Sequence, residues 1–196
     1  MTLLEPTPTK ASPAARSPVL KTARLVLRAP RPEDAKALKT LINDRRIAEN
    51  MASIPHPYTL KDARSFIAAA AGKSLFVITL ADGRLVGGGG IGLRAKGYEI
   101  GYWIGVPFWG RGYATEAARA FIDHAFGDLD HTELLAGARV TNPASRRVLE
   151  KCGFQWTGVV LQRVLAINSS APSDRFRLDR GLWSSLRNWG KVRRIA

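Results

Sequence analysis

In Val19–Arg28 the apolar Leu25 and Leu27 recur at period two between Arg24 and Arg28, and this predicts a first strand. Pro30 and Pro32 end it. Glu33 and Asp34 then open a helix through Ile42, where Ala35, Leu38, Leu41 and Ile42 recur at helical spacing and the acids lie at the favourable end. Pro55 and Pro57 flank His56 in a loop, and Thr59 caps a second helix with Asp62 three residues on, a shorter relative of the capping box. Leu75–Leu80, the turn Ala81-Asp82-Gly83-Arg84 and Leu85–Leu93 read as a hairpin. The glycine run at 87–90 weakens its second strand, so that strand is bulged there or something approaches its backbone closely.

Tyr98–Ile104 is the next strand, and a helix follows to Phe126. Leu134–Val140 is a strand, and Asn142–Lys151 a helix with an Asn cap, Pro143 in its first turn and Gly153 as its stop. Phe154–Leu165 and Phe176–Leu182 supply the last strands around an expected loop at Asn168–Asp174. The order is strand, two helices, three strands, helix, strand, helix, two strands, which is a mixed α/β layer fold.

Between the strand Tyr98–Ile104 and its helix lies Trp109-Gly110-Arg111-Gly112-Tyr113-Ala114-Thr115. A helix start leaves its first amides without intrahelical partners, the glycines let an outside group approach, and the helix dipole is positive at this end. The junction is therefore a candidate anion site.

Composition adds three constraints. With 30 Lys and Arg against 16 Asp and Glu, the formal net charge is +14, which points to an anionic partner such as a polyphosphate cofactor, an acidic protein surface or nucleic acid. A single cysteine, Cys152, excludes an internal disulfide framework and any multi-cysteine zinc site, and fits a reducing, cytoplasmic compartment. His56, His124 and His131 show no metal-ligand spacing, so no metal is expected. No apolar run is long enough to span a membrane. Residues 1–18, rich in Pro, Thr, Ala and Ser, read as a disordered leader without a secretory core; 19–183 read as one domain and 184–196 as a basic C-terminal tail.

Taken together, the motifs resemble the GCN5-related N-acetyltransferases, within them the branch that acetylates ribosomal-protein N-termini. The resemblance covers residues 20–183. Its core is the acetyl-CoA motif of Gln or Arg, two residues, Gly, one residue, then Gly or Ala, matched by Trp109-Gly110-Arg111-Gly112-Tyr113-Ala114 with Trp109 in place of Gln or Arg. Leu20–Arg28, Pro57–Ala63 and Asn142–Phe154 are similar to the branch as well.

The resemblance implies a mostly antiparallel central sheet of about seven strands with splayed central strands and helices on both faces. It implies that acetyl-CoA is a co-substrate, its pyrophosphate held by the amides of Gly110, Arg111, Gly112, Tyr113, Ala114 and Thr115, with Arg111 adding a cation. Its pantetheine arm would pair with backbone near Ile104 and Val106 and with Asn142, which is equally a plain helix cap. Ile104 N–H would face the developing oxyanion.

Glu99 is the candidate base, acting through a water, and an exposed glutamate beside Tyr98 is the alternative. The tyrosine that many relatives use as leaving-group acid is replaced by Leu149, so Ser145 becomes the candidate to bond or protonate the CoA sulfur, with helix packing as the other role. Glu116 complements the helix dipole, Cys152 is buried filler, Trp103 and Trp109 are core or pocket aromatics, and Tyr58 and Phe66 are candidates for the acceptor wall.

The implied acceptor is a primary amine, in this branch the α-amine of a protein or peptide. A small amine such as an aminoglycoside or polyamine stays open, as does a non-catalytic acyl-CoA- or RNA-binding protein on the same fold. The residues do not choose between monomer and homodimer, nor settle a ribosome contact.

Overall fold

The computed structural model describes residues 18–192; the expected leader at 1–18 lies outside them except for Pro18, and so do residues 193–196 of the expected tail. An eight-stranded sheet runs in the order β1-β2-β3-β4-β5-β6-β8-β7. Its strands are β1 (Leu20–Lys21), β2 (Leu25–Arg28), β3 (Leu75–Leu80), β4 (Leu85–Arg94), β5 (Gly97–Ile104), β6 (Glu133–Arg139), β7 (Gln155–Val164) and β8 (Ser169–Asp179). The count exceeds the expected seven because Val19–Arg28 folds back on itself, Leu20 facing Leu27 across a turn at Thr22–Arg24.

Six α-helices occur among the described residues: α1 (Ala35–Ile42), α2 (Arg45–Ala48), α3 (Leu60–Ala69), α4 (Tyr113–Gly127), α5 (Pro143–Lys151) and α6 (Arg180–Val192). Thr59 and Asp62 form the full capping box of α3: the Asp62 amide donates to the Thr59 hydroxyl oxygen at 3.2 Å, and the Thr59 amide to the Asp62 carboxylate at 2.8 Å.

Helices cover both faces of the sheet. On one, Phe121, Ile122, Ala125 and Phe126 of α4 bury against Leu25, Phe76, Ile91, Ile100 and Leu134. On the other, Leu38, Ile42, Ile47 and Ala63 of α1–α3 bury against Val77, Leu85 and Trp103. That second cluster draws sheet residues from β3, β4 and β5 alone, so on this face β6 and β8 are left to a cleft.

Two expectations change, and an open alternative is resolved. The segment 168–174 is strand rather than loop beyond Asn168: Ser169–Asp179 pairs with β7 along its length and with β6 from Ser173 onward. Its polarity hid it, because Ser173 and Asp174 are buried positions filled by polar residues. The strand ends at Asp179, not Leu182, and α6 runs through the expected domain end at 183 into the expected basic tail. The Asp179 carboxylate accepts the Leu182 amide at 2.9 Å, Trp183 packs on Phe126 with ring centroids 5.3 Å apart, and the Trp183 indole donates to Asp123 at 2.9 Å. Finally, β4 continues through its glycines, and the register shift lies beside them, between Ile78 and Thr79 of the partner strand. What approaches is neighbouring main chain: a Cβ at Gly87 or Gly89 would collide with the carbonyl of Trp103 or Gly101 on β5.

Candidate functional site

β5 and β6 are parallel and pair only at Glu99↔Leu135 and Ile100↔Ala136. Beyond these positions the strands part, and a cleft of about 1090 Å³ opens between them. One end is the glycine turn, with Gly110, Gly112, Tyr113, Ala114 and Thr115 in the lining; the lining also takes in Arg46, Glu49, Arg94, Glu99 and Arg139 from other elements.

The first end is made by backbone. Gly110 and Gly112 hold φ of +75° and +79°, and Gly112 is the N-cap of α4. The Glu116 amide is the first to bond back, to the Gly112 carbonyl at 3.1 Å. The amides of Tyr113, Ala114 and Thr115 are thereby left for an external acceptor at the positive end of a fifteen-residue helix. Arg111 lies outside the cleft lining, with its guanidinium 5.9 Å from the Phe108 ring centroid.

Glu116 does more than complement the dipole. Its carboxylate accepts the Thr22 hydroxyl at 2.6 Å, the Arg24 amide at 2.8 Å and the Arg24 guanidinium at 2.7 Å. Arg24 also donates to the Arg111 carbonyl at 2.9 Å. The turn between β1 and β2 is thus clamped to the glycine turn. Burial raises the Glu116 carboxyl, but the Thr22 and Arg24 bonds outweigh it and hold the carboxyl below its ordinary value.

Asn142 caps α5, its side-chain oxygen accepting the Ser145 amide at 3.1 Å, and its amide donors carry no assigned bond. Ser145 and Tyr102 meet in the cleft, hydroxyl to hydroxyl at 3.3 Å. Burial pushes the Tyr102 phenol well above the ordinary tyrosine range, which keeps it protonated. Sequence reasoning passed over Tyr102. The signal was its place three residues after Glu99, on the opposite side of a strand already singled out.

Glu99 lies in the cleft wall and is not a solvated glutamate: Arg175 donates to its two oxygens at 2.7 and 3.3 Å, and both side chains are 18% exposed. Arg175 reaches β5 from β8 by crossing β6 at Gly137, where a Cβ would stand 2.8 Å from the guanidinium. Ile104 lines the cleft, but its carbonyl accepts the Trp109 indole N–H at 2.6 Å. Val106 begins a 3-10 turn outside the lining, and its carbonyl accepts the Trp109 amide at 3.2 Å.

Tyr58 and Phe66 pack among α1–α3 instead of in the acceptor wall, and burial raises the Tyr58 phenol to about 12. The short helix α2, which the sequence pattern does not predict, lines the cleft through Arg46 and Ile47. Cys152 is buried, and its thiol is pushed up to about 11 by that burial, so it is no nucleophile at neutral pH. Among the described residues no group of three or more His, Cys, Asp or Glu is arranged to hold a metal, and no helix is long and apolar enough to cross a membrane.

The family model of the acetyltransferase (GNAT) domain matches residues 24–155, a span that includes the glycine turn, both splayed strands and α5. The chain belongs to the GNAT acetyltransferases. The uncharacterized N-acetyltransferase YoaA of Bacillus subtilis is 29% identical over 154 residues, 74% of this chain and 87% of that protein. The structure of Mycobacterium smegmatis RimJ in complex with CoA-disulfide superposes with a TM-score of 0.70 at 25% identity, covering 85% of this chain and 89% of that one. Some curated relatives match over only part of their length: the similar segment spans 26% of the Aspergillus fumigatus FsC-acetyl coenzyme A-N(2)-transacetylase and 51% of Bacillus subtilis YjcK, a probable N-acetyltransferase. As a GNAT fold, the splay of β5 from β6 is the feature that matters most, since it opens main chain on both strands to a ligand.

Proposed function

We propose that this GNAT protein transfers the acetyl group of acetyl-CoA to a primary amine, the α-amine of a peptide or protein N-terminus. The observation that carries the reading is the continuity of the cleft, which joins the unpaired amides of α4 to the Tyr102–Ser145 pair and then to Glu99. Acetyl-CoA would supply the activated acyl group and a pyrophosphate suited to the amides of Gly110–Thr115. Asn142 donates to the pantetheine arm through its side-chain amide. The Ile104 carbonyl serves the same arm only after the Trp109 indole has left it.

An α-amine with pKa near 8 is partly neutral at pH 7, whereas a lysine near 10.4 is mostly charged, so this acceptor asks little of a base. Glu99 takes the amine proton through a water: a carboxylate has about four lone-pair sites, and Arg175 occupies two. Ile104 N–H donates to the thioester oxygen as negative charge gathers there. With the Tyr102 phenol donating to Ser145, the serine hydrogen is free for the departing sulfur. Buried Cys152 supports a reducing compartment such as the cytoplasm.

Thiol release from acetyl-CoA, followed across a panel of N-terminal peptides and small amines, tests the proposal. Turnover on peptides with mass gain on the α-amine supports it. Turnover confined to polyamines or aminoglycosides, or CoA binding without turnover together with steeply salt-dependent RNA binding, overturns it.

A further inference from the structure

The charges that line the acceptor half of the cleft are unequally matched. Its two acids are already paired: Glu99 with Arg175 at 2.7 Å, and Glu49 with Arg45 at 2.5 Å. Arg46 is neutralised by Asp44 at 2.7 Å. Like the cleft-lining Arg147, Lys151 and Arg163, the two arginines Arg94 and Arg139 have no carboxylate partner among the described residues.

Arg139 is the more informative of the two. It is the last residue of β6, on the same side of that strand as Gly137 and Leu135, past the last position where β5 and β6 pair and beside the C-terminal end of α2. Its guanidinium is half-buried and pinned: one Nη donates to the main-chain carbonyl of Glu49 at 2.9 Å, and Nε is buried without any partner. A half-buried arginine whose Nε is buried without an acceptor and whose charge has no carboxylate partner is costly, since that desolvation is not offset. Lining a cleft that takes a substrate, such a group is poised for a planar anion, and a guanidinium fork fits a carboxylate.

We infer that Arg139, with Arg94 adding to the field, reads a carboxylate close to the acceptor amine, so that the preferred acceptors are N-termini with Asp or Glu among their first residues. The inference rests on the proposed acetyl transfer to an N-terminal amine. It also opposes a polycationic acceptor, because no acid in this half of the cleft is left unpaired to receive one.

The test uses bisubstrate probes, in which CoA sulfur is joined through an acetyl bridge to the α-amine of Ala-Asp-Ala, Ala-Asn-Ala or Ala-Lys-Ala amide, with affinities measured by calorimetry at low ionic strength on the full chain. The Asp probe should bind about tenfold tighter than the Asn probe, a difference of about 1.4 kcal/mol. In Arg139→Gln the ratio should fall to about one, and Arg139→Lys should restore part of it; CoA alone reports whether each variant is folded. Equal affinity for Asp and Asn in the native protein, a ratio that survives Arg139→Gln, or tightest binding of the Lys probe overturns the inference and leaves acetyl transfer standing. If no probe binds tighter than CoA, the acceptor reading itself fails, and this inference with it.

Discussion

The main-chain amides offered to an anion come from the contiguous run Gly110–Thr115, while the charged side chains Arg46, Glu99 and Arg139 of the same cleft, with Arg175 behind Glu99, come from α2, β5, β6 and β8. The end proposed for the cofactor offers main-chain amides, whose direction follows from two positive-φ glycines and a helix start. The acceptor end uses charged side chains whose partners lie up to 90 residues away in the chain, as with Arg139 and the Glu49 carbonyl. A binding site made of backbone survives most side-chain changes and suits a ligand that stays the same. One made of side chains is retuned by single substitutions, which suits the half that meets a variable acceptor.

The sharpest way to break this contrast is Gly112→Asp. It puts a carboxylate and a Cβ at φ +79°, beside three amides held for phosphate oxygens and 3.4 Å from an Arg24 nitrogen. CoA affinity by calorimetry should drop roughly a hundredfold or more while thermal unfolding shows a folded protein. Unchanged affinity would move the cofactor elsewhere. At the acceptor end, Glu99→Gln should lower kcat by about one to two orders of magnitude with little change in the KM for acetyl-CoA. A loss confined to KM would make Glu99 a binding group only.

Between the two ends, Ser145→Ala should reduce kcat about tenfold, and Tyr102→Phe by less. Adding Tyr102→Phe to Ser145→Ala should cost nothing further, since the phenol acts through the serine. Independent effects would separate the two residues.

The smallest expected effect concerns the clamp behind the glycine turn. Because the folded Glu116 carboxyl lies below its ordinary value of 4.5, its contribution is present above that pH and is lost as pH falls through the lower folded value. Glu116→Gln should therefore cost about 1 kcal/mol at pH 7, a figure held down by the exposure of Arg24, and lower Tm by about 2–4 °C. It should also flatten the decline in stability below about pH 4.5. An acid limb of the same steepness in the variant would show that other carboxylates carry it.

How much was legible depended on how far apart the deciding residues lie. The Thr59 cap, the hairpin at 75–93, the glycine turn and the Asn142 cap each rest on neighbours within a few positions, and each stands in the structure as read. The first half of the strand at 169–179 reads as loop because its alternation is disguised by buried Ser173 and Asp174; the Trp156 indole satisfies Asp174 at 2.8 Å, a contact set by the pairing of β7 with β8. Helix α6 was missed because a run of basic residues resembles a solvated tail until Trp183 finds Phe126. Candidate roles divided in the same way: the anion turn could be argued from local order, but neither the bond of Arg175 to Glu99 nor that of Tyr102 to Ser145 has any trace in spacing.

By itself, then, the amino-acid sequence determined the elements, their caps and the anion-binding turn, because capping, glycine conformation and hydrophobic period act over one to four residues. Tertiary structure alone decided where β5 and β6 part, which charges are cancelled and which are left over. Cancellation depends on distances between strands, and those exist only once Gly137 lets Arg175 cross the sheet to Glu99 while Arg139 is left facing the cleft without a counter-ion.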